Sequence, residues 1–267
     1  MHGSGNDFVL IDNRDGNIPQ KFFKELAQKL CRRHFGIGAD GLILIDNSTI
    51  ADFKWHFFNA DGSSAEMCGN GGRCAARFAY ILGIAGKRLT FETLAGIIEA
   101  EIKDDSRVKL QLTEPKELFL DIELELNDEK FLVHHINTGV PHVVVFCDNL
   151  KDIDVKRLGS IIRFHDKFSP NGANVNFVQK IGGDFLKVRT YERGVENETY
   201  ACGTGSVASA IIANLKGLVG NKVNIVTSGG EHLIVYIEEK EPLKVYLEGT
   251  AVLVYSGQTE EILEDIF

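Results

Sequence analysis

Apolar and polar positions along this chain mostly form short blocks typical of β-strands, and only a few stretches switch to helical spacing. Phe8–Asp12 is an apolar run that stops at the turn residues Asn13 to Gly16. Pro19 then opens a helix on which Phe22, Phe23, Leu26 and Leu30 share one face. Arg32-Arg33-His34 are expected to close that helix, since cations are favoured at a helix C-terminus. Gly41–Asp46 and Lys54–Asn59 read as strands, and Asn59-Ala60-Asp61-Gly62 as the turn that follows. Asn70 to Leu82 is rich in Ala and carries Phe78, Ile81 and Leu82, so the pattern predicts a second helix. Short strands follow around Leu89–Thr93, Ile97–Ile102 and Val108–Leu112.

The second half repeats the scheme. Strands are expected near Phe131–Ile136, Val143–Cys147, Val175–Gln179 and Phe185–Tyr191, with a short helix near Val155–Ile162. A Thr204–Leu215 helix leads into strands near Val223–Thr227, Leu233–Ile237, Lys244–Leu247 and Ala251–Tyr255. The loops Cys68-Gly69-Asn70-Gly71 and Cys202-Gly203-Thr204-Gly205 stand 134 residues apart (68 to 202) in a chain of 267. At the same offset Ala76, Ala79, Gly83 and Gly86 find Ala210, Ala213, Gly217 and Gly220, and Thr93 and Gly96 find Thr227 and Gly230. A repeat this long means duplicated domains, because solenoids repeat at roughly 20–50 residues. The expected fold is therefore α+β: two pseudo-symmetric domains, each a mainly antiparallel sheet around a central helix. The first spans residues 1–114 plus 252–267, with the last strand returning to it, and the second spans 115–251. Thr113-Glu114-Pro115 is the only plausible hinge.

Composition narrows the function. A net charge of −9 argues against a nucleic-acid partner, which calls for clustered Lys and Arg. No apolar run approaches the ~18 residues a membrane span needs. The start Met1-His2-Gly3-Ser4-Gly5-Asn6 lacks a basic region followed by an apolar stretch, so no signal peptide is expected. Five cysteines form an odd set with no disulfide framework, which fits a reducing cytoplasm. Cys68 and Cys74 are six apart, unlike a C-x-x-C redox or zinc site, and the eight His show no ligand spacing, so no metal is expected. Gly36-Ile37-Gly38-Ala39-Asp40-Gly41 is similar to a dinucleotide loop but precedes a strand rather than a helix.

The paired loops carry the chemistry. A helix N-terminus leaves backbone N–H groups unpaired and bears partial positive charge. A cysteine there is expected to have its pKa drawn from about 8.5 into a range of roughly 3.5–7.5. The flanking glycines let several N–H groups aim at an anion such as a carboxylate. A single such loop could equally be a tight turn with a buried, inert thiol. Two in register would suit a reaction that needs a proton group on each side of one atom.

At these residues the chain resembles the diaminopimelate epimerase family over nearly its whole length. The motifs are His2-Gly3-Ser4-Gly5-Asn6-Asp7-Phe8, Arg32-Arg33-His34-Phe35-Gly36-Ile37-Gly38 and Phe58-Asn59-Ala60-Asp61-Gly62-Ser63. The most specific are Met67-Cys68-Gly69-Asn70-Gly71-Gly72-Arg73-Cys74 and Tyr191-Glu192-Arg193-Gly194 with Ala201-Cys202-Gly203-Thr204-Gly205. The related proline and hydroxyproline racemases share the fold, but their first loop reads more like Cys-Gly-His-Gly.

The resemblance implies a cofactor-independent isomerase that interconverts LL- and meso-diaminopimelate on the way to lysine and peptidoglycan precursors. It implies Cys68 and Cys202 as alternating base and acid, tuned by His142 and Glu192. Asn6, Asn59, Asn174, Glu192 and Arg193 would bind the amino acid, with Gly69, Asn70, Gly203 and Thr204 holding its α-carboxylate. A carboxylate and a forked guanidinium suit a distal amino-acid head; the plainer alternative for Glu192-Arg193 is a strand-end ion pair. Cys74 falls one and a half turns into the helix and is assigned to packing. The implied partner is a small-molecule substrate, with a homodimer left open, and no cofactor is expected.

Three departures stand out. Val140 occupies a position where many members have Asn, Gly41 one where many have Gln, and Ser4 replaces a usual Leu at a start several residues later than the family's first strand. The first two leave open another racemase or epimerase of the same fold acting on a single-headed substrate. A non-catalytic amino-acid binder and a thiol-redox protein are the readings from other classes.

Overall fold

The computed structural model describes residues 1–104, 106–126, 129–238 and 241–259. Two compact units emerge, one from Met1–Gln111 with the chain from Gly249 onward, the other from Leu112–Glu248. Residues 260–267 of the expected first domain lie outside the described residues.

The first unit holds β1 (His2–Gly3), β2 (Asn6–Asp12), α1 (Phe23–Leu30), β3 (Gly41–Asp46), β4 (Phe53–Asn59), α2 (Gly69–Ile81), β5 (Arg88–Thr93), β6 (Gly96–Ile102) and β7 (Arg107–Gln111). The seven strands line up in chain order. Most neighbours are antiparallel, but β2 runs parallel to β3 and β4 parallel to β5. Along β4 and β5 every second residue is buried, the mark of a sheet with one face on a core. What lies on that face is α2, which packs on β1, β2, β3, β6 and β7. One helix can touch strands so far apart only if the sheet curls around it. On the other side α1 covers β3 and β4, burying Phe23, Leu26, Ala27 and Leu30, the face its spacing predicts.

The second unit holds β8 (Lys116–Leu126), β9 (Glu129–Asn137), β10 (Pro141–Phe146), α3 (Val155–Arg163), β11 (Asn174–Gly182), β12 (Phe185–Glu192), β13 (Asn197–Thr199), α4 (Gly203–Leu215), β14 (Lys222–Thr227), β15 (His232–Glu238) and β16 (Lys244–Thr250) as far as Glu248. Its strand order is β16-β15-β14-β12-β11-β10-β9-β8, with β13 on β12. The central helix is now α4, buried continuously from Gly205 to Ala213 and packed against β9, β10, β11, β12, β14 and β15. A helix apolar all round is one enclosed on every side. The duplication read from the sequence extends to the pairing. Parallel β2 and β3, with Phe8 opposite Gly41, are matched by parallel β10 and β11, with His142 opposite Asn174. Parallel β4 and β5 are matched by β12 and β14. Helices α2 and α4 open 134 residues apart, at positions 69 and 203. The fold is α+β, as expected.

Four local readings change. Pro19 starts a single 3-10 turn, Gln20–Phe22, so the α-helix begins a turn later. The helix ends at Leu30, and Arg33 lies beyond it, paired with Asp7 (2.8 Å) and Asp40 (3.1 Å) rather than serving the helix dipole. The strand expected over Ala251–Tyr255 reduces to one antiparallel bridge, Val252 to His2. Its partner β1 is two residues long, which limits how far pairing runs. Strand β8 was not foreseen: Glu117 (φ 53°) and Asp121 (φ 56°) sit in the left-handed region and break its alternation where the register slips.

Candidate active site

Each unit presents a cysteine as the N-cap of its central helix. Cys68 has extended backbone (φ −144°, ψ 120°), and its Sγ accepts from the N–H of Gly71 at 3.5 Å. Cys202 repeats this (φ −123°, ψ 110°), with Gly205 N–H at 3.4 Å. The sulfur stands where a Ser or Asp oxygen commonly caps a helix, spending otherwise orphaned first-turn donors. Glycine is required at the third helical position of the second loop. A Cβ on Gly205 would lie 2.2 Å from Asn176 Oδ1 and 3.2 Å from Cys202 Sγ.

The surroundings of Cys68 are ordered by charge. Arg33 holds Asp40, and Asp40 Oδ2 accepts from Asn6 Nδ2 at 2.7 Å. That bond turns Asn6 Oδ1 toward Cys68 Sγ at 3.8 Å and toward Asn70 Nδ2 at 3.4 Å. An amide oxygen can only accept, so at this contact Cys68 is the donor and carries its proton. Asn70 is oriented in turn by Arg73, which is fully buried and donates to Asn70 Oδ1 and Ser4 Oγ, both at 2.7 Å, and to the Thr250 carbonyl at 3.2 Å. Charge-assisted bonds of this kind offset the cost of burying a guanidinium. Asn59 is the exposed last residue of β4, donating to Ser63 Oγ at 3.0 Å.

Around Cys202 the partners differ. Thr204 Oγ1 is 3.5 Å from Sγ, and the Thr204 carbonyl accepts from Thr138 Oγ1 at 3.0 Å. Asn174 Oδ1 accepts from the backbone N–H of Arg193 at 2.7 Å, fixing the chain just past Glu192, and Arg193 Nη1 donates to the Asn171 carbonyl at 3.3 Å. No Glu192–Arg193 ion pair forms among the described residues. His142 is fully buried on β10.

Both thiols contradict the expectation of a depressed pKa. Burial pushes Cys68 up, outweighing the opposing pull of the Gly71 and Asn70 N–H groups. Burial and then the Glu192 carboxylate push Cys202 up to about 11, against the pull of Thr204 and Gly205. The helix-end field acts as foreseen, but desolvation of the charged form exceeds it. Burial likewise raises the Glu192 carboxyl and lowers His142 to about 3, so His142 stays neutral. Cys74, fully buried and raised to about 12, is an inert packing thiol.

Asn176, Arg73 and Asp40 escaped the sequence reading. The available signal was a polar residue in an apolar setting: Asn174 and Asn176 punctuate the buried strand β11, and Arg73 interrupts the small residues of α2. Gly41 also gains a reason. A Cβ there would meet Phe57 Cε2 and the Phe58 carbonyl, each at 2.8 Å, so this backbone excludes a larger residue. Among the described residues no cluster of three or more His, Cys, Asp or Glu could hold a metal, and no helix is long and apolar enough to cross a membrane.

Duplicated units, each a sheet closed on a cysteine-capped helix, set the class. The fold is shared with a PhzF-family phenazine biosynthesis protein of Bacillus anthracis (TM-score 0.69, 17% identity, 95% of both chains). It is shared too with a hydroxyproline epimerase of Agrobacterium vitis (TM-score 0.66, 14% identity, 96% of this chain and 89% of that one). At that identity the likeness is one of fold. The family follows from sequence. The diaminopimelate epimerase model matches residues 1–118 and 134–254. A diaminopimelate epimerase of Aquifex aeolicus is 51% identical over 99% of this chain and 98% of its own. That of Archaeoglobus fulgidus is 47% identical over 96% and 94%. The chain belongs to the diaminopimelate epimerase family and is an isomerase.

Proposed function

We propose that the protein interconverts LL- and meso-diaminopimelate by proton transfer through Cys68 and Cys202, without a cofactor. The observation that carries this reading is the pair of matched N-capping thiols, each with a first-turn N–H on its sulfur. Inversion needs a base on one face of the α-carbon and an acid on the other. One sulfur, as thiolate, takes the α-proton; the other, as thiol, gives its own proton to the opposite face. The product leaves with inverted configuration and the two sulfurs have exchanged protonation states, so no electrons are gained or lost. A second turnover in the same direction needs the proton moved back.

An amino-acid α-proton is a very weak acid, and charge that builds on the α-carboxylate must be held by donors already in place. Gly69, Asn70, Gly203 and Thr204, at the helix N-termini, supply backbone N–H groups for this. Asn6, Asn59, Asn174, Glu192 and Arg193 select the substrate, and Arg193 pairs with the carboxylate of the distal head. Glu192 also tunes Cys202, because its charge opposes ionisation of that sulfur. His142 is the neutral tuning group. Five free cysteines fit a cytoplasmic enzyme.

The test is incubation with LL-diaminopimelate in deuterated water, followed by chiral analysis of the product. Deuterium at the inverted α-carbon is expected, with either Cys→Ala change abolishing it. Inversion without solvent deuterium, or full activity in Cys202→Ala, overturns the two-thiol reading.

A further inference from the structure

His142 is buried, and its two ring nitrogens have unequal partners. Nδ1 lies 3.1 Å from Asn176 Nδ2, whereas Nε2 has no hydrogen-bond partner among the described residues. Which nitrogen carries the proton follows from Asn176. That side chain is fully buried, and its Nδ2 is also 3.0 Å from the Val143 carbonyl oxygen. A carbonyl can only accept, so the atom facing it must be the NH2 group of the amide. The opposite atom, Oδ1, accepts from Thr190 Oγ1 at 2.9 Å, consistent with that orientation. The NH2 group then presents its second hydrogen to His142 Nδ1, which must offer a lone pair. In a neutral imidazole the remaining proton sits on Nε2.

We propose that Asn176 is a positioning residue for the epimerisation: its amide fixes His142 as the Nε2–H tautomer, so that His142 acts as a hydrogen-bond donor and not as a base. This rests on the reading of His142 as the group that tunes the thiol chemistry, and it specifies how. A donor steadies an anionic sulfur or carboxylate; a bare nitrogen would take a proton from it. Burial holds His142 neutral, which removes the imidazolium as an alternative. The same amide meets the second cysteine loop, its Oδ1 filling the space a Cβ on Gly205 would need. One side chain therefore sets the histidine and closes the wall behind Cys202.

The test is the long-range nitrogen–proton correlation spectrum of nitrogen-15-labelled enzyme, with His142 assigned by its loss in His142→Gln. A protonated Nε2 and bare Nδ1 are expected in the wild type at neutral pH. A protonated Nδ1, or both nitrogens protonated, overturns the proposal without any variant. Asn176→Asp, which presents only acceptors, should move the proton to Nδ1 and lower kcat by about tenfold or more, with KM within about twofold. Asn176→Leu, which neither donates nor accepts, should leave a mixture of tautomers and a similar fall in kcat, and serves if the Asp variant does not fold. A variant with a changed tautomer and wild-type kcat breaks the link to turnover. Wild-type kcat in His142→Gln would instead remove the tuning role, leaving the tautomer assignment intact.

Discussion

Cys202 gives the most direct test of the site's electrostatics. Its thiol is pushed up to about 11 from 9.0, by burial first and Glu192 second. At about pH 8 such a group is roughly one part in 10³ thiolate, against roughly one part in ten for an unperturbed thiol at 9.0. Iodoacetamide attacks only the thiolate. The rate of Cys202 alkylation should therefore climb about tenfold per pH unit from about pH 6 to 10 without levelling. Mass spectrometry of the Cys202 peptide after timed quenching gives that rate. Restricted access, with the residue 8% exposed, scales every rate alike and leaves the slope untouched. Glu192→Gln keeps the shape and removes the charge, so the whole curve should move to lower pH. An interaction of about 1.4 kcal/mol speeds alkylation at fixed pH about tenfold. A plateau below about pH 9 in the wild type would show that this thiol is not raised, and a curve unmoved by Glu192→Gln that the carboxylate does not act on it.

Other consequences can be measured independently. His142, lowered to about 3 from 6.5, favours the folded state above the unfolded pKa, and that stability is lost as pH falls through the interval to 3. Urea titrations should show His142→Gln flattening this acid limb, worth on the order of 5 kcal/mol at most; an unchanged limb contradicts the assignment. Gly205→Ala drives a methyl against the pinned Asn176 amide and should cost about 1–3 kcal/mol in thermal unfolding, with activity reduced. Arg193→Ala should lower kcat/KM by about 100-fold or more, and Arg193→Lys should not restore it, because a forked guanidinium is not replaced by a point charge. Wild-type values in the Ala variant would point to a single-headed substrate. Cys74→Ala should cost about 1 kcal/mol in stability and spare kcat, unlike Cys68→Ala; a dead Cys74→Ala enzyme would reopen its role.

Much of the fold was legible because the signals were local and repeated. Helices α2 and α4 announced themselves by small residues at helical spacing behind a Cys-Gly loop, and the offset of 134 tied them together. What failed was decided by distant partners. Val252, Leu253 and Val254 have strand-like side chains, but β1 offers only His2 and Gly3 to pair with. Arg33 resembles a helix-end cation until Asp7 and Asp40, seven or more residues away, claim it. Nothing in β8 warns that Glu117 and Asp121 adopt positive φ.

The candidate site divides along the same line. Cysteine next to glycine at a helix start is a local pattern, so the N-cap position of both sulfurs was legible, and so was the burial of Cys74 inside the helix. The sign of the pKa shifts was not, because it depends on how much apolar surface the rest of the unit places over the sulfur. Asn176 was missed for a similar reason: its importance lies in the Val143 carbonyl and the His142 ring, which only strand pairing brings together.

The raised thiols carry a consequence for how the reaction starts. Helix-end donors lower the cost of a thiolate, yet burial keeps both sulfurs protonated, and at Cys68 the acceptor Asn6 Oδ1 reinforces this. The charge that tips the balance must come from elsewhere. In the proposed reaction the substrate brings a cation of its own, the α-ammonium, and a positive charge placed against a buried thiol lowers its pKa strongly. The base is then made by the substrate it acts on. Free enzyme keeps its sulfurs mainly as thiols, slow toward electrophiles at neutral pH, and in the proposed reaction the bound amino acid makes them reactive. A helix-capping cysteine under a desolvating cover produces that coupling; an exposed thiolate with a low pKa would not.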